Sequence, residues 1–105
     1  MTYESAIAAL ADRTRRAIFE ALRAGPRPVG DLARGFAVSR PAVSQHLRVL
    51  SEAGLCQVAA DGRQRIYAID PEGVAALRHW LDGLWDDALA AFADAAARDV
   101  EERNR

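Results

Sequence analysis

Residues 38–55 read VSRPAVSQHLRVLSEAGL, and the chemistry their polar side chains can do is recognition, not catalysis. Arg40, Ser44, Gln45 and Arg48 follow one another closely, and no carboxylate intervenes before Glu52. A guanidinium offers a planar fork of donors, an amide both donates and accepts, and a hydroxyl does either. Such a set suits a surface of anionic oxygens and patterned acceptors. A second small cluster, Arg63, Gln64 and Arg65, has the same character. Covalent chemistry has little to work with: the chain holds two histidines and one cysteine. No Ser-His-Asp context, phosphate-cradling glycine loop or evident carboxylate pair occurs, so no catalytic residue, no cofactor and no enzymatic activity are expected.

Those residues need elements to hold them. Ser39 is a good N-cap, and Arg40 and Pro41 fall in the first turn, where the missing N–H of proline costs nothing. Val43, Leu47 and Leu50 recur at i, i+4, i+7 as an inward face, and Gly54 marks the stop. The spacing therefore predicts a helix over Ser39–Ala53. At about 100° per residue, Arg40, Ser44 and Arg48 line one edge of it, with Pro41 and Gln45 alongside. His46 borders the core side, where a buried or cap-bonding role competes with an outward contact.

Ahead of this helix, Tyr3, Ile7 and Leu10 suggest a short first helix. Asp12 caps a second over Arg13–Ala24, with Ile18, Phe19 and Leu22 inward and Gly25-Pro26 as terminator. PVGDLARGF suggests a third helix of about two turns, with Val29, Leu32, Ala33 and Phe36 as its apolar positions. Behind it, Leu55–Ala59 and Arg65–Ile69 have the β-branched and aromatic content of strands, with Asp61-Gly62 as the hairpin turn. Asp70-Pro71-Glu72 opens a last helix whose stripe is Val74, Leu77, Leu81, Leu84, Ala88 and Phe92.

The order is α-α-α-α-β-β-α: mainly helical, five helices and a two-stranded wing. This is the order of a winged helix-turn-helix, in which the second helix of the motif enters the DNA major groove and the hairpin reaches the flanking backbone. Read so, Ser44 and Gln45 are candidates for base contacts. Arg40 and Arg48 hold phosphate, and Ser39, Pro41 and His46 complete the helix surface. Arg63, Gln64 and Arg65 are the wing contacts. The expected partners are double-stranded DNA and a second copy of the chain. The last stripe is too apolar for one small subunit to cover, which suggests a homodimer through Tyr3, Ile7, Leu10, Val74, Leu77, Leu81, Leu84, Trp85, Ala88 and Phe92.

Composition agrees. At 105 residues the chain fits one domain, residues 1–105, with dimerising helices at both ends. Net charge is −1, but residues 1–69 hold ten arginines against six acids, and residues 70–105 hold four against nine. A basic front and an acidic tail are what a nucleic-acid-binding front predicts. No run of 18 or more apolar residues and no secretory leader pattern appear, and one cysteine fits a reducing compartment, so a cytoplasmic protein without membrane association is expected.

The string LADRTRRAIFEALRAGPRPVGDLARGFAVSRPAVSQHLRVLSEAGLCQVAADGRQRIYAI resembles the ArsR-type family of small winged-helix repressors. The likeness covers about residues 6–85, and SRPAVSQHLRVLSEAGL followed by DGRQRIY is its most specific part. It implies a homodimer built on the first and last helices, and transcriptional repression, often of the protein's own operon. Position 13, usually proline in relatives, is Arg here, with Asp12 still available as cap. Sensing relatives carry a Cys-x-Cys pair on the third helix, or His and acids on the last. Here VGDLARGF has neither Cys nor His, Cys56 has no second thiol, and the last helix has only His79 beside its acids. This resembles a member without the metal site, so no metal ligand is expected. The remaining alternative is His79 with Asp82 across a dimer interface. The sequence names no small-molecule inducer.

Blander readings stand beside these. The α-helical donors could be a solvated face, Arg63 and Arg65 plain solubility residues, Cys56 a core-facing strand residue, and Trp80 and Trp85 core or dimer packing. Two functional alternatives remain: a ligand- or redox-responsive sensor repressor, and a winged-helix module that binds an acidic protein.

Overall fold

A computed structural model describes residues 3–105. Helix α1 spans Tyr3–Ala11, α2 Arg13–Ala21, α3 Val29–Arg34, α4 Arg40–Glu52 and α5 Pro71–Arg103. Strands are β1 (Arg27–Pro28), β2 (Cys56–Asp61) and β3 (Gln64–Ile69). The caps expected from sequence form. Asp12 accepts from the Arg15 backbone N–H at 2.9 Å, Ser39 from Ala42 at 3.2 Å and Asp70 from Glu72 at 3.0 Å. The Arg15 N–H also holds the Asp12 carboxyl below its usual pKa, as a hydrogen bond to the charged form must.

Ile18, Leu22, Leu32, Val43, Leu47, Leu50 and Leu55 are the fully buried large side chains. They come from α2, α3 and α4 and the turns after α2 and α4, so the helix-turn-helix is itself the core. Helix α4 ends in a Schellman arrangement: Gly54 N–H donates to the Ser51 carbonyl at 3.0 Å, and Leu55 N–H to the Leu50 carbonyl at 2.9 Å. Gly54 supplies the left-handed residue at φ 81°. Leu55 then turns inward, and its carbonyl accepts from Asp70 N–H at 2.8 Å, tying the start of α5 to the end of α4.

Three expectations need correction. The sheet has three strands, in the order β1-β3-β2, because Arg27 and Pro28 pair with Tyr67 and Ile66. Two residues containing a proline carry no period, so the sequence pattern cannot announce this strand. Helix α2 stops at Ala21, and Leu22–Ala24 tighten into a 3₁₀ turn before Gly25. The wing strands are longer than expected: Asp61 pairs with Gln64, which leaves Gly62-Arg63 as the turn instead of Asp61-Gly62. Gly62 has φ 62° and Arg63 does not share a positive φ, the sign pattern of a type II′ turn with glycine first.

Helix α5 is 33 residues, about 50 Å at 1.5 Å per residue, in a molecule measuring 73 × 26 × 21 Å. Its first turns lie on α1, where Tyr3 and Trp80 stack with centroids 5.2 Å apart. Leu10 and Leu77, expected at a dimer interface, are partly buried and pack against the core. Tyr3, Ile7, Val74, Leu81, Leu84, Trp85 and Phe92 are exposed apolar side chains, and Ala88 is exposed too. Leu89 and Val100, absent from the expected stripe, are exposed with them.

Gly73 is buried because α5 begins against the α4 terminus: a Cβ there would overlap the Gly54 carbonyl, which is backbone and cannot rotate away. Gly73→Ala is expected to cost about 3 kcal/mol, the upper range for overpacking a tight contact. Urea unfolding measures this; a midpoint equal to that of the parent protein would show that the helix start can slide.

Candidate nucleic-acid interface

Helix α4 and the hairpin β2–β3 enclose an open groove of about 470 Å³, lined by residues of both elements. Pro41, Ser44, Gln45 and Arg48 come from the helix, and Arg65 from the wing. The local reasons are the two periodicities. Val43, Leu47 and Leu50 are buried, which turns the opposite side of α4 outward. On β3, Tyr67 is buried and lines the groove, so Arg65, two residues away, shares its face. Gln64 lies on the other face by the same alternation, and Arg63 stands at the turn.

The remaining sequence candidates are placed apart from the groove. Ser39 caps α4 at its start. The Arg40 guanidinium lies against Gly30 of α3, its Cζ 3.6 Å from where a Cβ would stand. His46 is separated from the others: it is half-buried on the flank facing α2, near enough to act on the Asp12 carboxylate, and its Nδ1 is buried without a hydrogen-bond partner. The face also carries an acid. Glu52 lines the groove and pairs with Arg48, Nε to Oε1 at 3.5 Å, with both side chains exposed. Sequence reasoning missed Ser51, Glu52, Val58 and Tyr67 as groove residues. A turn at Asp61-Gly62 would pair Val58 with Arg65, whereas the true register pairs Val58 with Tyr67 and Ala60 with Arg65.

Not every arginine of the basic front is available to a ligand. Arg15 and Arg16 donate to the Ala9 and Leu10 carbonyls at the end of α1, each at 3.2 Å, where a cation complements the helix dipole. Arg27 donates to the Asp31 carbonyl at 3.2 Å, and Arg34 pairs with the Asp31 carboxylate. Among the described residues Arg63 and Arg65 make no such bond, and both are exposed. The wing tip therefore keeps a positive character, whereas Arg15, Arg16, Arg27 and Arg34 are engaged within the helical body.

Among the described residues no group of three or more His, Cys, Asp or Glu is placed to hold a metal ion, and no helix is long and apolar enough to cross a membrane. His79 and Asp87 line a separate shallow pocket with Tyr3 and Trp80, between α1 and α5.

A helix-turn-helix domain profile matches residues 10–57, the stretch from α1 to the start of β2. The HTH-type transcriptional regulator Rv2034 of Mycobacterium tuberculosis is 56% identical over 85 residues, covering 81% of this chain and 79% of the relative. Among solved structures, the ArsR-like transcriptional regulator from Rhodococcus sp. RHA1 superposes with a TM-score of 0.74 at 31% identity, covering 90% of this chain and 92% of that one. The homodimeric winged helix-turn-helix DNA-binding domain Mb0332 of Mycobacterium bovis superposes with a TM-score of 0.65 at 27% identity, covering 80% and 78%.

Cys56, at the root of the wing, is buried. Removal from water, with the Asp70 carboxylate adding to it, pushes the thiol up to about 12 from a usual 9.0. Only the thiolate attacks disulfides or alkylating agents, so the folded protein is expected to react at Cys56 far more slowly than the unfolded chain at pH 8. A thiol raised on folding favours the native state below pH 9, and this contribution is lost as pH rises from 9 through about 12. Iodoacetamide labelling with and without urea checks the point; equal rates would place Cys56 in water.

Proposed function

Because the chain belongs to the ArsR-type family of winged helix-turn-helix transcriptional regulators, we propose that it is a homodimeric repressor. It binds an inverted repeat in double-stranded DNA through α4 and the wing, and acts as a single domain over residues 1–105. The observation that carries this reading is the groove in which Ser44, Gln45 and Arg48 of α4 meet Arg65 of the wing. A duplex presents phosphate oxygens along its groove walls and distinct donor and acceptor patterns on its floor. Gln45, exposed at the centre of the face, reads a base edge, with adenine its natural match. Ser44 reads beside it. Arg48, Arg63 and Arg65 hold phosphate, and Ser39 and Arg40 secure the start of α4 at the backbone.

Dimerisation is supported by the apolar surface of α5. Leu81, Leu84, Trp85, Leu89 and Phe92 are each about half exposed or more, a contiguous stripe of the kind that marks a protein interface. A twofold axis through this stripe repeats the groove, and helices about 34 Å apart meet the same face of DNA one turn later. The Mb0332 domain is homodimeric, which favours the same assembly here. A dimer seated on a promoter excludes the polymerase, and repression follows from occupancy alone.

The division between base and phosphate contacts is testable by fluorescence anisotropy on an operator selected from random duplexes. The selected site is expected to be an inverted repeat. Two copies of Arg40, Arg48, Arg63 and Arg65 neutralise up to about eight phosphates, so log affinity should fall with log salt at a slope near −0.9 per contact made. Gln45→Ala is expected to relax sequence preference at one position per half-site by about 1–3 kcal/mol of discrimination. Arg63→Ala should weaken operator and random duplex alike. Equal losses on both duplexes for both variants would overturn the assignment, and no salt-sensitive retention of any duplex would overturn the function.

A further inference from the structure

Glu52 is an oddity in the groove just described. At about 100° per residue it lies within about 40° of both Gln45 and Arg48 on the outward face of α4, and it is the acid among the groove residues. Nothing in the helix itself favours it there. It closes the last turn of α4, where the exposed carbonyls already concentrate negative charge. Its pairing with Arg48 runs Arg before Glu, the weaker order for an i, i+4 pair, and both side chains are 71% exposed. The contact is therefore readily exchanged for a better anion, and the anion that this groove would meet is phosphate.

We propose that Glu52 is a specificity-determining residue that holds down binding to the wrong DNA by competing with phosphate for Arg48. The inference rests on the proposed DNA-binding function. In the free protein the carboxylate neutralises the guanidinium and adds its own repulsion to an approaching backbone. On a random duplex α4 stays loosely seated, so Arg48 keeps its intramolecular partner and contributes no net attraction. On the operator, base contacts by Ser44 and Gln45 seat the helix closely. The phosphate then displaces Glu52 from Arg48, and the carboxylate turns to water, where its exposure leaves it room. The cost falls on both complexes, but only the operator complex recovers it through base contacts.

Glu52→Gln keeps the shape and removes the charge. Its affinity for a random duplex is expected to rise about tenfold, with the salt slope steeper by about 0.9 per subunit, as one more phosphate contact requires. Operator affinity should rise less, so the ratio of operator to random binding falls. In an Arg48→Gln background the same change should have a much smaller effect, because the competition needs both partners. An unchanged ratio in a variant with an unchanged unfolding midpoint overturns the inference while leaving the function standing. A selective loss of operator binding by Glu52→Gln also overturns it, since that is the signature of a carboxylate accepting from a cytosine amine. A parent protein that retains no duplex removes both readings together.

Discussion

The fold turns on one close approach of backbone to backbone, Gly73 of α5 against the Gly54 carbonyl at the end of α4. Gly54 closes α4, Leu55 goes into the core, and the Leu55 carbonyl takes the Asp70 N–H. Four chain segments are thereby fixed to one another: the end of α4, the root of β2, the end of β3 and the start of α5. The wing can hold a set distance from α4 because its two strands enter and leave at this junction. Helix α5 can carry a partner at a set angle to α4 for the same reason. Packed interiors do not deform continuously, so a partner on α5 and a ligand on α4 are joined by a short rigid path.

Charge is distributed around that junction with some economy. Arg15, Arg16, Arg27 and Arg34 satisfy carbonyls and a carboxylate within the body, where orphan acceptors at helix ends need them. The arginines of α4 and the wing tip remain toward solvent, with Glu52 as a local counterweight. The acids gather on α5, whose ion pairs Arg78–Asp82 and Arg103–Asp99 run along its own surface. A net charge of −1 is thus compatible with a polyanion partner, because the average is taken over surfaces that face different ways.

The exposed apolar length of α5 and the buried thiol at the wing root bear on the sensor alternative. Cys56 is removed from water and is neutral at ordinary pH, which fits a core-facing strand residue and disfavours an oxidant-sensing thiol. Trp80 and Trp85 divide. Trp80 stacks on Tyr3 within the subunit, whereas Trp85 projects from the stripe that a second copy would cover.

Much of this was legible in the residues because it is local. An N-cap, a proline in a first turn, a glycine after a last turn and an apolar face at i, i+4, i+7 each depend on chain within a few residues, so α1, α2, α4 and α5 and the outward face of Gln45 and Arg48 could be read directly. What depends on distant pairing could not. The β1 strand exists only because Tyr67 and Ile66 stand opposite Arg27 and Pro28. The wing register places Val58 opposite Tyr67 and Arg65 opposite Ala60, and so brings Val58 and Tyr67 together in the groove. His46 borders the core on a helical wheel, but only the packed structure places it near the Asp12 carboxylate and outside the groove lining. Spacing does not show that Leu10 and Leu77 also pack partly buried against the core. Spacing determines which residues share a face; only the packing of that face against another element determines what it meets.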